Sequence, residues 1–351
     1  MTIPDAKIVA VQRALQETFG TTEFEQTGNL SRTNNSDPVF RIIVRGSPYL
    51  LRIIMRVDDP ACHFSCMTAA AEAGAAPRVW YANIADKICI ADFVESVPFP
   101  LTDALVRIPE VLRKLHALPP FPPRANHLNT SPTYLTNDGP ARDQFLQMFR
   151  SAEILPRDEG EQFFAAYEKV LAAYHRDDLD MVSGHNDLKP DNMLFDGDRL
   201  WLVDWEAAFL NDRYCDLAVM ANFAVSNEDE ERIYLQQYFG QAPDEYQLAR
   251  LYLMRQVVHM FYTMAYLWLG LRGSDTGGKP MENNETGAEL DDLHRRLWAG
   301  ELNLSDRQTK IAYGQANCKR LLHNIRQARF HHELKIVADR YAHAATGNVL
   351  N

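Results

Sequence analysis

Residues 183–208, "SGHNDLKPDNMLFDGDRLWLVDWEAA", hold six acidic side chains (Asp187, Asp191, Asp196, Asp198, Asp204 and Glu206) in a largely apolar frame. Acid clusters are ordinarily solvated, because like charges repel and keep their water. Here, however, two β-prone runs, "MLF" (193–195) and "LWLV" (200–203), flank the turn-forming "DGDR". The reading is a β-hairpin folded near Asp198, with Asp196 and Asp198 as solvated turn acids. Positions equidistant from the fold point come side by side. That brings Asn192 and Asp204 together at the open end, with Asp187 just upstream on the entering loop.

This arrangement has a chemistry. A hard cation such as Mg²⁺ takes oxygen ligands from one or two carboxylates and completes its shell with water and substrate phosphates. A separate carboxylate, off the metal, orients and deprotonates a hydroxyl nucleophile. Phosphoryl transfer from Mg·ATP needs these parts: positioning, charge neutralisation and a modest base. The His-x-Asp-x-x-x-x-Asn spacing, followed by a strand and then Asp, is specific as a set.

Outward from the hairpin, the pattern divides the chain. Ile8, Val11, Leu15 and Phe19 recur at helical spacing near the start. Residues 39–44 and 49–55 read as strands joined by "RGSP", a helix follows over about 60–73, and "RVWYAN" and "KICIADFV" read as two further strands. After Glu95 the pattern turns helical: 101–118, stopped by the prolines of "LHALPPFPPR", then 141–152, 160–175, 228–239, 244–271 and most of 305–342. Residues 273–287, "GSDTGGKPMENNETG", read as a loop. Pattern alone thus gives a small antiparallel-sheet lobe with one inserted helix, then a large, mainly helical lobe, an α+β fold.

With 351 residues there is room for two cores, and a formal net charge of -11 excludes generic nucleic-acid binding, which needs a basic face. The most apolar run, residues 257–271, is shorter than the roughly 20 residues a membrane span requires, so it reads as a buried helix. Five scattered cysteines without a CxxC pair, and a start lacking the basic-then-apolar layout of a signal peptide, lead us to expect a cytoplasmic protein with reduced thiols. Cys62 and Cys66 share a helix face but have no partners completing a zinc site. His331 and His332, in the His- and Arg-rich 323–335, diverge on a helix and read as structural.

"HNDLKPDN" and "LVDWE" resemble the catalytic and metal-binding segments of kinase-like small-molecule phosphotransferases, the family of aminoglycoside phosphotransferases and choline/ethanolamine kinases. The similarity extends to "YLLRI", "AEAGAAPRVWY" and "LRKLHALP", and "DWEAAFLNDRYCDLA" (204–218) is closest to the choline-kinase-like branch. "DWE" in place of Asp-Phe-Gly, and the lack of a GxGxxG loop, separate the chain from protein kinases. The resemblance implies a bilobal protein-kinase-like fold, with residues 1–95 as the nucleotide-binding lobe and 96–351 as the helical lobe carrying the acceptor site.

It also implies ATP and Mg²⁺ as cofactors. Asp187 would be the catalytic base, His185 a brace for its loop, and Asn192 and Asp204 the metal ligands. Asp216 would anchor the loop. Lys189 stands where the choline-kinase branch often has a neutral residue; beside the base it reads either as a contact to the γ-phosphate or as a solvated loop lysine. Arg52 stands where the family places its basic phosphate contact, its fork suited to phosphate. Gly28, Asn29 and Ser31, in the long "TGNLSRTNNSDP" loop, would face the phosphates; Asp92 and Phe93, in the hinge 91–95, would face adenine. The family usually puts a Glu on the N-lobe helix to hold the strand-three base. Here that helix has no acid before Glu72, leaving Glu72, Asp58, Asp59 or nothing to hold Arg52.

For the acceptor, "MFYTMAYLWLG" (260–270) places Tyr262, Tyr266 and Leu269 on one helix face with Trp268 nearby. Aromatic faces hold a quaternary ammonium at roughly 0.5–2 kcal/mol each. With Trp205 and Glu206 these residues suit a small cationic alcohol such as choline or ethanolamine; the same aromatics also read as plain core. An aminoglycoside would need several carboxylates, available in "NEDEE" (227–231) and "ENNETGAELDD" (282–292), although such runs are usually solvated faces. Homoserine, thiamine, sugars and a nucleotide-binding pseudoenzyme stay open, as does the oligomeric state.

Overall fold

The computed structural model describes residues 2–30, 37–55, 60–122, 140–174, 180–271 and 289–347. Ser31, Asp58, Asp59 and the loop expected at 273–287 lie outside the described residues.

The N-terminal lobe is a five-stranded antiparallel sheet in the order β1-β2-β3-β5-β4, built from β1 (Glu25–Asn29), β2 (Val39–Val44), β3 (Ser47–Ile53), β4 (Val79–Asn83) and β5 (Ile88–Asp92). Period-2 alternation sends Phe40, Ile42, Leu51, Ile53, Ile88 and Ile90 to one face. Helix α1 (Ile8–Phe19) covers that face with Val11, Ala14 and Leu15. Arg52 projects from the other face, level with Val39 and Cys89 across the sheet. On that side α2 (Ala61–Glu72) packs Phe64 and Met67 against Ile54, Cys89 and Ala91.

The larger lobe comprises α3 (Ala104–His116), α4 (Pro140–Ser151), α5 (Arg157–Ala173), α6 (Arg213–Ala224), α7 (Glu228–Phe239), α8 (Glu245–Leu271), α9 (Leu290–Trp298), α10 (Arg307–Asn324) and α11 (Ala328–Gly347). Two small ribbons interrupt it: β6 (Met181–Gly184) with β9 (Phe209–Asp212), and β7 (Met193–Phe195) with β8 (Leu200–Leu202). Helix α8 is apolar nearly all round and forms the lobe's axis, as a helix buried on every side must. Among the described residues no helix is long and apolar enough to cross a membrane.

After α8, helices α10 and α11 pack on it. Helix α10 crosses it where each helix presents a glycine. A Cβ on Gly270 would lie 2.6 Å from Ile311 Cγ1, and one on Gly314 would lie 2.8 Å from Leu267 Cγ, so both positions exclude larger residues. Helix α11 is tied in by Arg329, whose guanidinium pairs with buried Glu231 of α7; Glu231 also holds Arg255 of α8 at 2.5 Å. The hinge is fastened to the large lobe by the Val97 N–H donating to Phe195 O at 2.7 Å. All five cysteines are free thiols, and Cys62 and Cys66 do share a face of α2, their sulfurs 3.9 Å apart.

Candidate active site

Ribbon β6–β9 delivers the loop after Gly184, and Asp216 in the first turn of α6 fixes it. Its two carboxylate oxygens each accept a backbone N–H, from His185 and from Asn186, both at 2.8 Å. His116 Nε2 lies 3.1 Å from the same carboxylate and His116 Nδ1 2.7 Å from the Tyr238 hydroxyl. Burial alone would raise the Asp216 pKa, but the hydrogen bond and charge of His116, with the loop N–H groups, hold it below the ordinary carboxylate range.

Asn186 adopts a left-handed backbone (φ +64°), which Asn tolerates better than most residues. Its amide nitrogen reaches Ala207 O at 3.1 Å and Phe209 O at 3.2 Å, and its oxygen accepts from Asn211 Nδ2 at 2.6 Å. His185 Nε2 meets Val203 O at 3.0 Å. The loop and the segment after β8 are therefore stitched together at several points.

On the open side, Asp187 Oδ2 accepts from Lys189 Nζ at 2.7 Å and from Asn192 Nδ2 at 3.1 Å; Asn192 Nδ2 also reaches Asp187 O at 2.8 Å. This turns the Asn192 amide oxygen the other way. Burial raises the Asp187 pKa, and the Lys189 ammonium partly offsets the rise. The hairpin forms as read from the sequence, with a register one step different. Met193 pairs Leu202, and Val203 N donates to Asn192 O, so Asn192 lies opposite Val203 and Asp204 one residue beyond. A left-handed Asp204 (φ +71°) then turns the chain into the short helical turn Trp205–Ala207.

Asp204 and Glu206 point to the sheet lobe. Arg52 Nη1 lies 3.4 Å from Asp204 Oδ1, and Nη2 pairs with Glu206. The expectation for Glu72 is thus corrected: Glu72 ends α2 exposed, and the described partners of Arg52 come from the opposite lobe. Asn192 and Asp204 offer an amide and a carboxylate oxygen, a donor set that fits Mg²⁺. Leu30 N donates to Val39 O, so Leu30, directly after Gly28 and Asn29, lies in the same backbone row as Val39 and Arg52. Asp92 and Phe93 use their side chains within the sheet lobe: Asp92 accepts from Trp80 Nε1 at 2.6 Å, and Arg41 stacks over Phe93 at 5.0 Å.

The expected acceptor residues separate. Tyr262 and Tyr266 of α8 meet edge-to-face with ring centroids 5.4 Å apart, and the hydroxyl pKa of both is pushed up, first by burial and also by the nearby charge of Asp187. Tyr313 of α10 completes the group, 5.1 Å from Tyr266; nothing in the local sequence singles it out, since only the α8–α10 crossing brings it there. Trp205 does not join them. It is buried, packs on His185 at 4.7 Å, and donates to Leu202 O at 3.2 Å. Trp268 lies two residues beyond Tyr266, about 200° round the helix, and packs on Phe145. Glu206 is engaged by Arg52.

Comparison with known proteins now decides the family. Residues 34–252 match the phosphotransferase enzyme family, well over half of the chain. The chain belongs to this family. Protein LicA of Haemophilus influenzae is 30% identical over 135 residues, 32% of this chain and 49% of that protein, so the chain spans about half the length of that curated relative. Among solved structures, a choline/ethanolamine kinase family protein from Mesorhizobium loti superposes with TM-score 0.61 at 22% identity, covering 95% of this chain and 97% of that one. A macrolide 2'-phosphotransferase from Brachybacterium faecium gives TM-score 0.52 at 14% identity over 78% and 99%. At these identities the structural likeness shows the shared bilobal kinase-like fold.

Proposed function

We propose that this phosphotransferase-family member moves the γ-phosphate of ATP to the hydroxyl of a small cationic alcohol, choline or ethanolamine being the leading candidates. The observation that carries the reading is Asp187: a partly buried carboxylate held by Lys189 and Asn192, near enough to Asp204, Tyr262 and Tyr266 for their charges to act on one another. Asp187 orients the acceptor hydroxyl and takes its proton. Lys189, already beside that carboxylate, turns to the γ-phosphate when nucleotide binds. His185 braces the loop, Asp216 anchors it, and Arg52 with the backbone near Gly28 and Asn29 receives the phosphates. Adenine rests on the backbone at Asp92 and Phe93. Asn192 and Asp204 would hold Mg²⁺, which offsets charge on the transferring group when bound.

Two observations favour a choline-like acceptor over an aminoglycoside. Tyr266, half-buried at the end of the Tyr262–Tyr266–Tyr313 cluster, lies within the electrostatic reach of Asp187. Among the described residues of the acidic runs, by contrast, Glu231 pairs with Arg255 and Arg329, Asp291 with Arg320, and Asp292 with Arg295. The family likeness to LicA supports the same choice, since the solved LicA of Streptococcus pneumoniae is a choline kinase. The test is ADP release with Mg·ATP over a panel of choline, ethanolamine, homoserine, thiamine and aminoglycosides. Choline or ethanolamine should give the highest kcat/KM; an aminoglycoside at the top would replace the acceptor assignment, and ADP release with none would remove it.

A further inference from the structure

The usual device for holding a strand-three base is an acid on the adjacent helix, and α2 supplies none: its single carboxylate, Glu72, closes the helix and is exposed. Arg52 instead bridges two carboxylates of the other lobe. Its side chain is 17% exposed, and its buried Nε has no hydrogen-bond partner among the described residues, so an unpaired guanidinium here would be costly. Of the two acids, Asp204 belongs to the metal-binding pair proposed above. Glu206 does not, and its backbone is fixed: the turn Trp205–Ala207 is held by the buried Trp205 ring and by Asn186 Nδ2 on Ala207 O.

We propose that Glu206 is the positioning residue for Arg52, a clasp that sets the phosphate-binding guanidinium against the catalytic loop across the cleft. Arg52 also occupies Asp204 until a divalent cation takes that carboxylate, and Glu206 then keeps the guanidinium in place. This rests on the kinase reading and moves Glu206 from the acceptor pocket to the nucleotide site. Because Asn186 joins the Glu206 turn to the loop carrying Asp187, the phosphate cation and the base share one frame.

The test uses Glu206→Gln, Arg52→Met and the double variant, with ATP affinity by calorimetry, Mn²⁺ binding without nucleotide, and steady-state kinetics. Each single variant should weaken Mg·ATP binding and raise the ATP KM about tenfold, with the acceptor KM within twofold of wild type. The double variant should be no more than about twofold weaker than either single one, because both remove the same clasp. Arg52→Met should bind Mn²⁺ severalfold more tightly, its competitor for Asp204 being gone. Additive losses, an acceptor KM that moves instead of the ATP KM, or unchanged Mn²⁺ affinity would overturn the clasp. Wild-type protein that binds no ATP would overturn the kinase reading with it; wild type that binds ATP no better than Glu206→Gln overturns the clasp alone.

Discussion

On its inner side the loop after Gly184 meets Asp216 and His116, whose side chains are each 2% exposed and hydrogen-bond to one another, to the His185 and Asn186 N–H groups and to Tyr238. On its outer side Asp187 and Asp204 keep 30% and 31% of their side-chain surface, and their partners are the movable cations Lys189 and Arg52. Both sides have carboxylates held by basic side chains and N–H groups, yet one is sealed and the other is open to exchange. A sealed, satisfied carboxylate fixes geometry; an open one, provisionally paired with a long cation, can trade that partner for substrate or metal. Burial with satisfied hydrogen bonds thus separates the acid that builds the loop from the acid that works on it.

Substitutions on the two sides should part accordingly. Asp187→Asn should lower kcat roughly 10³-fold, the range general bases contribute, while melting temperature and ATP affinity hold near wild type. Asp216→Asn should do the reverse in kind: a loss of about 3 kcal/mol in chemical denaturation, because the loop N–H groups and His116 lose their charged partner. Since the folded pKa of Asp216 is lowered, its contribution is present above the unfolded value of about 3.9 and is lost as pH falls through the folded value. An Asp216→Asn variant as stable as wild type at neutral pH would erase the contrast.

Lys189→Met should sharpen it. Lys189 lowers an Asp187 pKa that burial has raised, so removing the ammonium moves the acidic limb of kcat/KM to higher pH, where the base is lost earlier on acidification. A limb that stays in place would detach Lys189 from Asp187. The smallest effect is expected from Tyr266→Leu, about a fivefold rise in acceptor KM through lost cation–π contact, with the ATP KM unchanged. Equal shifts in both constants would mark that tyrosine as core alone.

Much of this was legible in residues 183–208, because hairpin geometry is local: turn residues, two apolar runs and the spacing of Asp187, Asn192 and Asp204 place three groups at one rim. The register slipped by one, since the turn pivots between Gly197 and Asp198 rather than on Asp198. Non-local placements were not legible. Trp205 reads the same whether it lines a pocket or fills the core, and only the packing of His185 and Phe121 decides it. The short β6–β9 ribbon and the partners of Arg52 arise between segments far apart in the chain, where sequence offers no spacing rule. Tyr313 enters the site only through the glycine-dependent crossing of α8 and α10.

Choline-dependent ADP formation, measured in parallel with calorimetric ATP affinity for wild type and Asp187→Asn, tests the central claim most directly. The account predicts turnover in the wild type, its loss by roughly three orders of magnitude in the variant, and matching ATP affinities. Turnover that survives Asp187→Asn, or vanishes only because the variant no longer binds ATP, would contradict it.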